Sequence, residues 1–125
     1  MAWDFDSERP IYTQILDEMK RRITTGIYPP GTKIPAVREL AMEACVNPNT
    51  MQKALAELEN LGLVESRRTM GRFVTENAKR IDSEKDEIAK AQIENFISGM
   101  AKLGYTRQEM IAMIENMCQE GEEQE

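Results

Sequence analysis

Residues 47–62 read NPNTMQKALAELENLG and contain the clearest helix start and stop in the chain. Asn47 is a favoured N-cap residue, Pro48 suits the first helical position, and Gly62 suits the C-terminal stop. The apolar positions recur at helical spacing and form one stripe: Met51, Ala54, Leu55 and Leu58. The opposite side carries Asn49, Gln52 and Lys53. The segment therefore predicts a helix with one buried face and one polar, exposed face.

Two further helices are predicted before this one. Pro10 to Gly26 has apolar residues every four positions, with two more that widen the stripe: Ile11, Ile15, Met19 and Ile23, with Tyr12 and Leu16. A stretch rich in turn residues follows and leaves room for a short edge strand around Lys33 and Ile34. A short helix then begins after Pro35, with an inner face of Val37, Leu40, Ala41 and Ala44. Cys45 and Val46 form a tight turn, which completes a helix–turn–helix.

A small hairpin and two more helices are predicted after it. Residues 63–67 and 72–75 predict strands joined by a turn at 68–71 with a basic tip. Residues 76–82 predict a polar connection, and a long helix is expected from 83 to 103. The last helix starts at a capping box, in which Thr106 and Glu109 satisfy each other's free backbone amides. The expected fold is mainly α with a small β-hairpin (α+β): a winged helix-turn-helix over residues 1–76 and a helical tail over 77–125.

Composition and charge exclude several classes of protein. The 125 residues are 41% hydrophobic and 30% charged, which is typical of a soluble folded chain. The absence of histidine removes Ser-His-Asp and Cys-His catalysis, and no glycine-rich phosphate loop or cysteine cluster is present, so we expect neither an enzyme nor a metal or cofactor. Neither a signal peptide nor a membrane segment is apparent, which predicts a cytoplasmic protein. Cys45 and Cys118 are expected to be buried free thiols.

The charge is unevenly distributed along the chain. Residues 1–77 carry 10 basic and 11 acidic groups, whereas residues 78–125 carry 6 and 11. The overall net charge of −6 argues against indiscriminate binding of nucleic acid. If the chain binds nucleic acid, the first part does so and the acidic tail has another role.

The motifs of the first part resemble those of GntR-family bacterial transcription regulators. Residues 10–15 (PIYTQI) resemble the first-helix motif of that family, and residues 34–41 (IPAVRELA) resemble its second-helix motif. Residues 46–50 (VNPNT), followed by the apolar stripe, resemble the start of its recognition helix. Residues 62–64 and 71–74 resemble the closing hairpin. The asparagine–proline–asparagine start and the short two-helix tail are similar to the YtrA subfamily, which dimerises through such a tail.

The resemblance implies roles for individual residues, and the exposed faces support them. Asn and Gln side chains pair with adenine edges in the major groove, while Lys and Arg reach phosphates or the minor groove. The expected DNA-contacting residues are Arg38, Asn47, Asn49, Thr50, Gln52, Lys53, Arg68, Thr69, Gly71 and Arg72. Four residues depart from the family pattern. Thr69 and Cys45 occupy positions where glycine is usual, Pro48 a position where many members carry arginine, and Ala36 a position where serine is usual.

Each of these roles has a structural alternative. Arg38 would also suit a surface ion pair with Glu39 or Glu43, and Gln52 and Lys53 would suit ordinary solvated positions. Arginines of the hairpin, Arg67 above all, would also block strand pairing at a sheet edge. These alternatives require no DNA.

The tail predicts dimerisation, because two short amphipathic helices cannot bury their apolar faces alone. The expected dimerisation residues are Ile93, Phe96, Ile97, Met100, Leu103, Met110, Met113, Ile114 and Met117. The sequence thus predicts a homodimeric, sequence-specific DNA-binding transcription regulator, a repressor acting on an inverted-repeat operator in double-stranded DNA. A small-molecule effector, if one binds, would lie at the dimer interface or between tail and DNA-binding domain. The alternative is a winged-helix adaptor that binds proteins and not DNA.

Overall fold

The computed structural model describes residues 3–124, with side chains up to Gly121. It contains five helices and one two-stranded antiparallel sheet within those residues: α1 (Ile11–Thr24), α2 (Val37–Ala44), α3 (Pro48–Asn60), β1 (Val64–Arg67), β2 (Gly71–Val74), α4 (Ala78–Lys102) and α5 (Arg107–Gln124). The mainly helical α+β class is as expected. Residues up to Lys85 form one compact unit, and those from Asp86 onward form a second. No helix in the described part of the chain is both long enough and apolar enough to span a membrane.

The core of the first unit is built from the apolar stripes of α1, α2 and α3. Ile15, Met19 and Ile23 of α1 are buried, and all four stripe residues of α3 are fully buried. Leu40, Ala41 and Ala44 close the core from α2. Ile11 was expected in the stripe, but it lies at the start of α1 and is 47% exposed. For α1, α2 and α3, the helix pattern therefore identified the side that faces the core, with Ile11 at the start of α1 as the exception.

The hairpin that closes the first unit also pairs with the segment before α2. In the register, Val64 pairs with Val74 and Arg67 with Gly71, each strand lying within one residue of its predicted bounds. Lys33 forms a single antiparallel bridge to Phe73, so the edge strand predicted around Lys33 and Ile34 is reduced to one bridged residue. The Val74 amide donates to the Thr32 carbonyl at 2.8 Å. The segment before α2 therefore fixes the base of the hairpin.

The N-terminal segment is tied to α1 and α2. The Gln14 side chain is buried; it accepts from the Asp6 amide at 2.8 Å and donates to the carbonyls of Asp6 and Arg9, both at 2.9 Å. Trp3 and Phe5 pack against the core. The Arg22 guanidinium lies 4.4 Å from the centre of the Trp3 ring, a cation–π contact. The segment thus covers one edge of the core.

The polar connection predicted at residues 76–82 is wrong for most of its length, because α4 begins at Ala78. The Asn77 side chain accepts from the Arg80 amide at 3.2 Å and caps this helix start. Ile81 is buried against the core, so a tertiary contact stabilises a turn whose sequence is otherwise polar.

A buried carboxylate anchors the start of α4 to the rest of the first unit. Glu84 is only 3% exposed, and its carboxylate contacts Lys20 Nζ at 3.1 Å and Arg80 Nη1 at 3.2 Å. Arg80 Nε also donates to the Leu61 carbonyl at 2.8 Å, just beyond α3. Burial raises the pKa of Glu84, but the two cations outweigh it and hold the pKa below its ordinary value. This cluster joins α1, the end of α3 and α4.

The second unit consists of the rest of α4 and of α5. The predicted capping box is present: the Thr106 amide donates to the Glu109 carboxylate at 2.9 Å, and the Glu109 amide donates to Thr106 Oγ1 at 3.2 Å. Within the described part of this unit, Met110 is the only buried apolar side chain. The prediction that both cysteines are buried is wrong. Cys45 and Cys118 are exposed free thiols, because Cys45 ends α2 and Cys118 lies on an uncovered helix.

Candidate nucleic-acid interface

The helix–turn–helix is held by a left-handed residue and a side-chain cap. Cys45 ends α2 with φ 58°, and the Val46 amide then donates to the Ala41 carbonyl at 3.0 Å. Asn47 caps α3 as predicted, since its side chain accepts from the Asn49 amide at 2.8 Å. Pro48 occupies the first turn. These contacts fix the direction in which α3 leaves the turn.

The exposed side of α3 presents side chains with free hydrogen-bonding groups. Asn49, Gln52 and Lys53 are exposed, and Thr50 is half-buried. Within residues 3–121, none of these four side chains takes part in a hydrogen bond or an ion pair with the protein. Their polar groups are therefore available to a ligand, as recognition of base edges requires.

Arg38 lies in the first turn of α2, is exposed, and has no ion pair among the residues that the structure describes. The alternative pair with Glu43 does not form, because that carboxylate binds Arg22 Nη1 at 2.9 Å and accepts from the Trp3 indole N–H. Burial raises the pKa of Glu43, but these two donors hold it below its ordinary value. Arg38 thus remains free to bind an anion beside α3.

The hairpin, which we call the wing (residues 64–74), is fastened to α3 by one carboxylate. Glu59 Oε1 accepts from Ser66 Oγ and from Arg72 Nε, both at 2.6 Å. The hydrogen bond from Ser66 is the main cause that holds the pKa of Glu59 below its ordinary value, with Arg72 acting in the same direction against burial. Arg72 was predicted to contact DNA, and the structure places its guanidinium in this internal ion pair. Arg68 and Thr69 lie exposed at the tip.

Two further cations, Arg67 and Lys33, lie on or beside the wing. The Arg67 guanidinium lies 4.2 Å from the centre of the Phe73 ring, and neither it nor Arg68 has an acidic partner in the described chain. Lys33 lies beside Gly71, where an added Cβ would come within 2.8 Å of Lys33 Cε. Arg67 could be recognised in the sequence as an arginine of the hairpin. Lys33 could not be placed beside the wing from the sequence, because it comes there only through its bridge to Phe73.

The wing turn contains a strained residue. Thr69 has φ 62°, and together with Cys45 it is one of two non-glycine residues with positive φ in the described chain. A β-branched side chain disfavours this conformation more than most. Both residues occupy positions where the family pattern has glycine. Each of these two replacements therefore places a side chain in a backbone conformation that strains it.

We expect Thr69→Gly to raise the free energy of unfolding by about 1 kcal/mol, because glycine adopts positive φ without strain. Urea denaturation at fixed protein concentration measures the change. Met70→Gly is the matched control: it lies in the same exposed turn at negative φ, so glycine there should lower stability. Equal effects of the two substitutions would show that Thr69 is not strained.

Among the residues that the structure describes, no group of Cys, Asp and Glu is arranged to hold a metal ion. The arrangement instead offers amide and hydroxyl groups along one helix face, flanked by cations on α2 and on the wing. Such a surface suits binding to base edges and phosphates.

Comparison with known proteins places these elements in a family. The model of "Bacterial regulatory proteins, gntR family" matches residues 11–74. The HTH-type transcriptional regulator YhcF of Bacillus subtilis is 41% identical over 117 residues, which cover 94% of this chain and 97% of that protein. The HTH-type transcriptional repressor YtrA of the same organism is 49% identical over 73 residues, which cover 58% of this chain and 56% of that protein.

Solved structures show the same fold. A GntR-family transcriptional regulator from Listeria monocytogenes matches with a TM-score of 0.84 and 43% identity, covering 90% of this chain and 98% of that one. The DNA-binding domain of AraR in complex with operator ORX1 matches with a TM-score of 0.55 and 29% identity, covering 60% of this chain and 95% of that one. The chain therefore belongs to the GntR family of bacterial transcription regulators and carries that family's winged-helix DNA-binding domain.

Proposed function

We propose that the chain is a homodimeric repressor that binds an inverted-repeat operator in the cytoplasm. The observation that carries the proposal is the capped α3 with its unpartnered polar face, flanked by Arg38 and by the unpaired cations of the wing. Arg38 and Lys53 would bind phosphates, while Asn49 and Gln52 would bind base edges. The AraR–operator complex, a relative bound to DNA, supports this assignment.

The contribution of the wing to DNA binding depends on which of its cations have no acidic partner in the described chain. Arg68, Arg67 and Lys33 have no acidic partner in the described chain and would bind flanking phosphates or the minor groove. Arg72 would act indirectly, since its ion pair with Glu59 holds the wing against α3. Thr69 and Gly71 would bring the backbone of the turn toward the DNA.

Dimerisation is supported by the apolar side chains that the two tail helices leave exposed, because exposed apolar surface of this extent is typical of an interface. Eight of the nine predicted dimerisation residues are exposed or half-buried, since only Met110 is buried. Their apolar surface is therefore available to a second copy of the chain.

We infer that residues 1–76 bind DNA and that residues 77–125 form the dimer. A repressor role is supported by the name of the relative YtrA, an HTH-type transcriptional repressor.

Selection from a random duplex library, followed by fluorescence anisotropy at two salt concentrations, tests the proposal. We expect enrichment of an inverted repeat whose half-site centres lie about one helical turn apart. Binding should exceed that of a scrambled duplex at least about a hundredfold and weaken with salt. Absence of binding to any duplex at low salt would reject DNA binding and favour the protein-binding adaptor.

We expect Gln52→Ala to relax base preference at one position of each half-site, by about tenfold, because the side chain is free to pair with one base edge. Competition with duplexes that carry each base at each position measures this. Lys53→Ala is the matched control from the same face: as a phosphate contact it should weaken all duplexes alike and reduce the salt dependence. If Gln52→Ala weakened the binding of all duplexes equally, Gln52 would orient the protein on the DNA and would not read a base.

A further inference from the structure

An open cleft lies between α2 and the start of α3. Six residues line it: Arg38, Ala41, Met42, Cys45, Val46 and Pro48. Ala41 is buried and Val46 half-buried, so these two form the floor of the cleft, whereas Met42 is 79% exposed and lies at its rim. Arg38 is the only one of the six with a charged side chain. The cleft is therefore an apolar surface with one cation at its edge.

The backbone around the cleft offers few free polar groups. The Cys45 amide donates to the Met42 carbonyl at 3.3 Å, and the Val46 amide donates to the Ala41 carbonyl at 3.0 Å. Pro48 has no amide hydrogen. A polar group placed among these residues would leave water without gaining a hydrogen bond, so the cleft favours an apolar group.

The cleft is continuous with the proposed DNA interface on both of its sides. Positions four apart share one face of a helix, so Met42 lies beside Arg38 on α2, and Pro48 lies beside Gln52 on α3. In the proposed function Arg38 binds a phosphate and Gln52 binds a base edge. The cleft then faces the part of the major groove that lies between the sugar–phosphate backbone and the hydrogen-bonding edges of the bases.

We propose that the cleft receives the 5-methyl group of a thymine, so that Met42 and Pro48 select a T·A base pair in each half-site. This methyl group is the apolar substituent that a base pair presents in the major groove, whereas the other groups there are hydrogen-bond donors and acceptors. It projects between the backbone of its own strand and the O4 edge of the base, which matches a cleft between Arg38 and Gln52. The inference rests on the DNA interface of the proposed function and adds a base contact that needs no hydrogen bond.

Replacing single thymines of the selected operator with deoxyuridine tests the contact, because this change removes only the methyl group. We expect one thymine in each half-site to be sensitive. Burial of a methyl group is worth about threefold in affinity, so changing both half-sites should raise the dissociation constant of the wild-type protein by about tenfold. Competition measured by fluorescence anisotropy at one fixed salt concentration gives this ratio.

Two variants assign the effect to the cleft. Met42→Gln and Pro48→Ser place polar atoms at its rim, and both positions are exposed, so both variants should fold, which circular dichroism checks. Each should bind the thymine and deoxyuridine operators with dissociation constants within about twofold of each other. Met70→Gln is the matched control: it makes the same change at an exposed position of the wing and should keep the tenfold difference, about as large as in the wild type.

A wild-type protein that binds the operator specifically, and equally well with deoxyuridine at every thymine, would overturn the methyl contact and leave the proposed function intact. A difference that persists in full in both Met42→Gln and Pro48→Ser would show that the methyl group lies elsewhere and would overturn the role of the cleft. Absence of binding to any duplex at low salt would instead overturn the proposed function, and this inference with it.

Discussion

Replacing Arg38 with alanine is expected to weaken operator binding by about a hundredfold, because a dimer would lose one charged contact with a phosphate in each half-site. Each contact is worth about 1.4 kcal/mol, which is tenfold, and two half-sites multiply the effect. The side chain is exposed and has no ion pair in the described chain, so its removal should leave folding stability unchanged. Fluorescence anisotropy at one fixed salt concentration measures the loss.

Arg107→Ala is the matched control, since it removes the same charge from an exposed position at the start of α5. This variant should bind the operator within about twofold of the wild type, because it changes only the long-range electrostatic attraction between protein and DNA. Arg38→Lys should restore part of the affinity, because it retains the charge and loses the planar donor group. An unchanged dissociation constant for Arg38→Ala would remove Arg38 from the interface.

Replacing Glu84 with glutamine is expected to lower the free energy of unfolding by about 3 kcal/mol, because it leaves two partly buried cations without their counter-charge. Lys20 and Arg80 contact this carboxylate from α1 and α4, and their side chains are only 20% and 26% exposed. The substitution preserves size and shape, so it tests the charge alone. Urea denaturation at neutral pH and fixed concentration measures the loss.

The difference between wild type and variant should also depend on pH. The pKa of Glu84 is lowered by folding, so its ionised form stabilises the folded state fully above the ordinary value of 4.5. That contribution is lost as the pH falls from about 4.5 through the folded-state pKa, and the two proteins should then converge. Glu94→Gln, an exposed position of α4, is the control and should change stability by less than about 0.5 kcal/mol at either pH. A constant gap across the acid range would show that the Glu84 charge is not what stabilises the cluster.

The amino-acid sequence alone determined the features that depend on neighbouring residues. The Asn47 cap and the Thr106–Glu109 capping box need only groups within one helical turn, and both are present as predicted. The helix stripes identified the buried side of α3 without error, because burial follows the 3.6-residue period of the helix. The same helical period predicted the exposed polar face of α3 and the apolar stripes of the two tail helices.

The tertiary structure decided which charged side chains are internally paired and where α4 begins. Arg72 and Arg67 look alike in the sequence, yet Glu59 binds the first and the Phe73 ring supports the second. Glu84 and its partner Lys20 are 64 positions apart, and Lys33 reaches the wing only through a strand bridge. Local pattern cannot predict these pairings, because an ion pair between distant residues depends on the packing that brings them together and excludes water. That packing also made the start of α4 helical, since burial of Ile81 and of the Glu84 carboxylate stabilises a segment whose own sequence is polar.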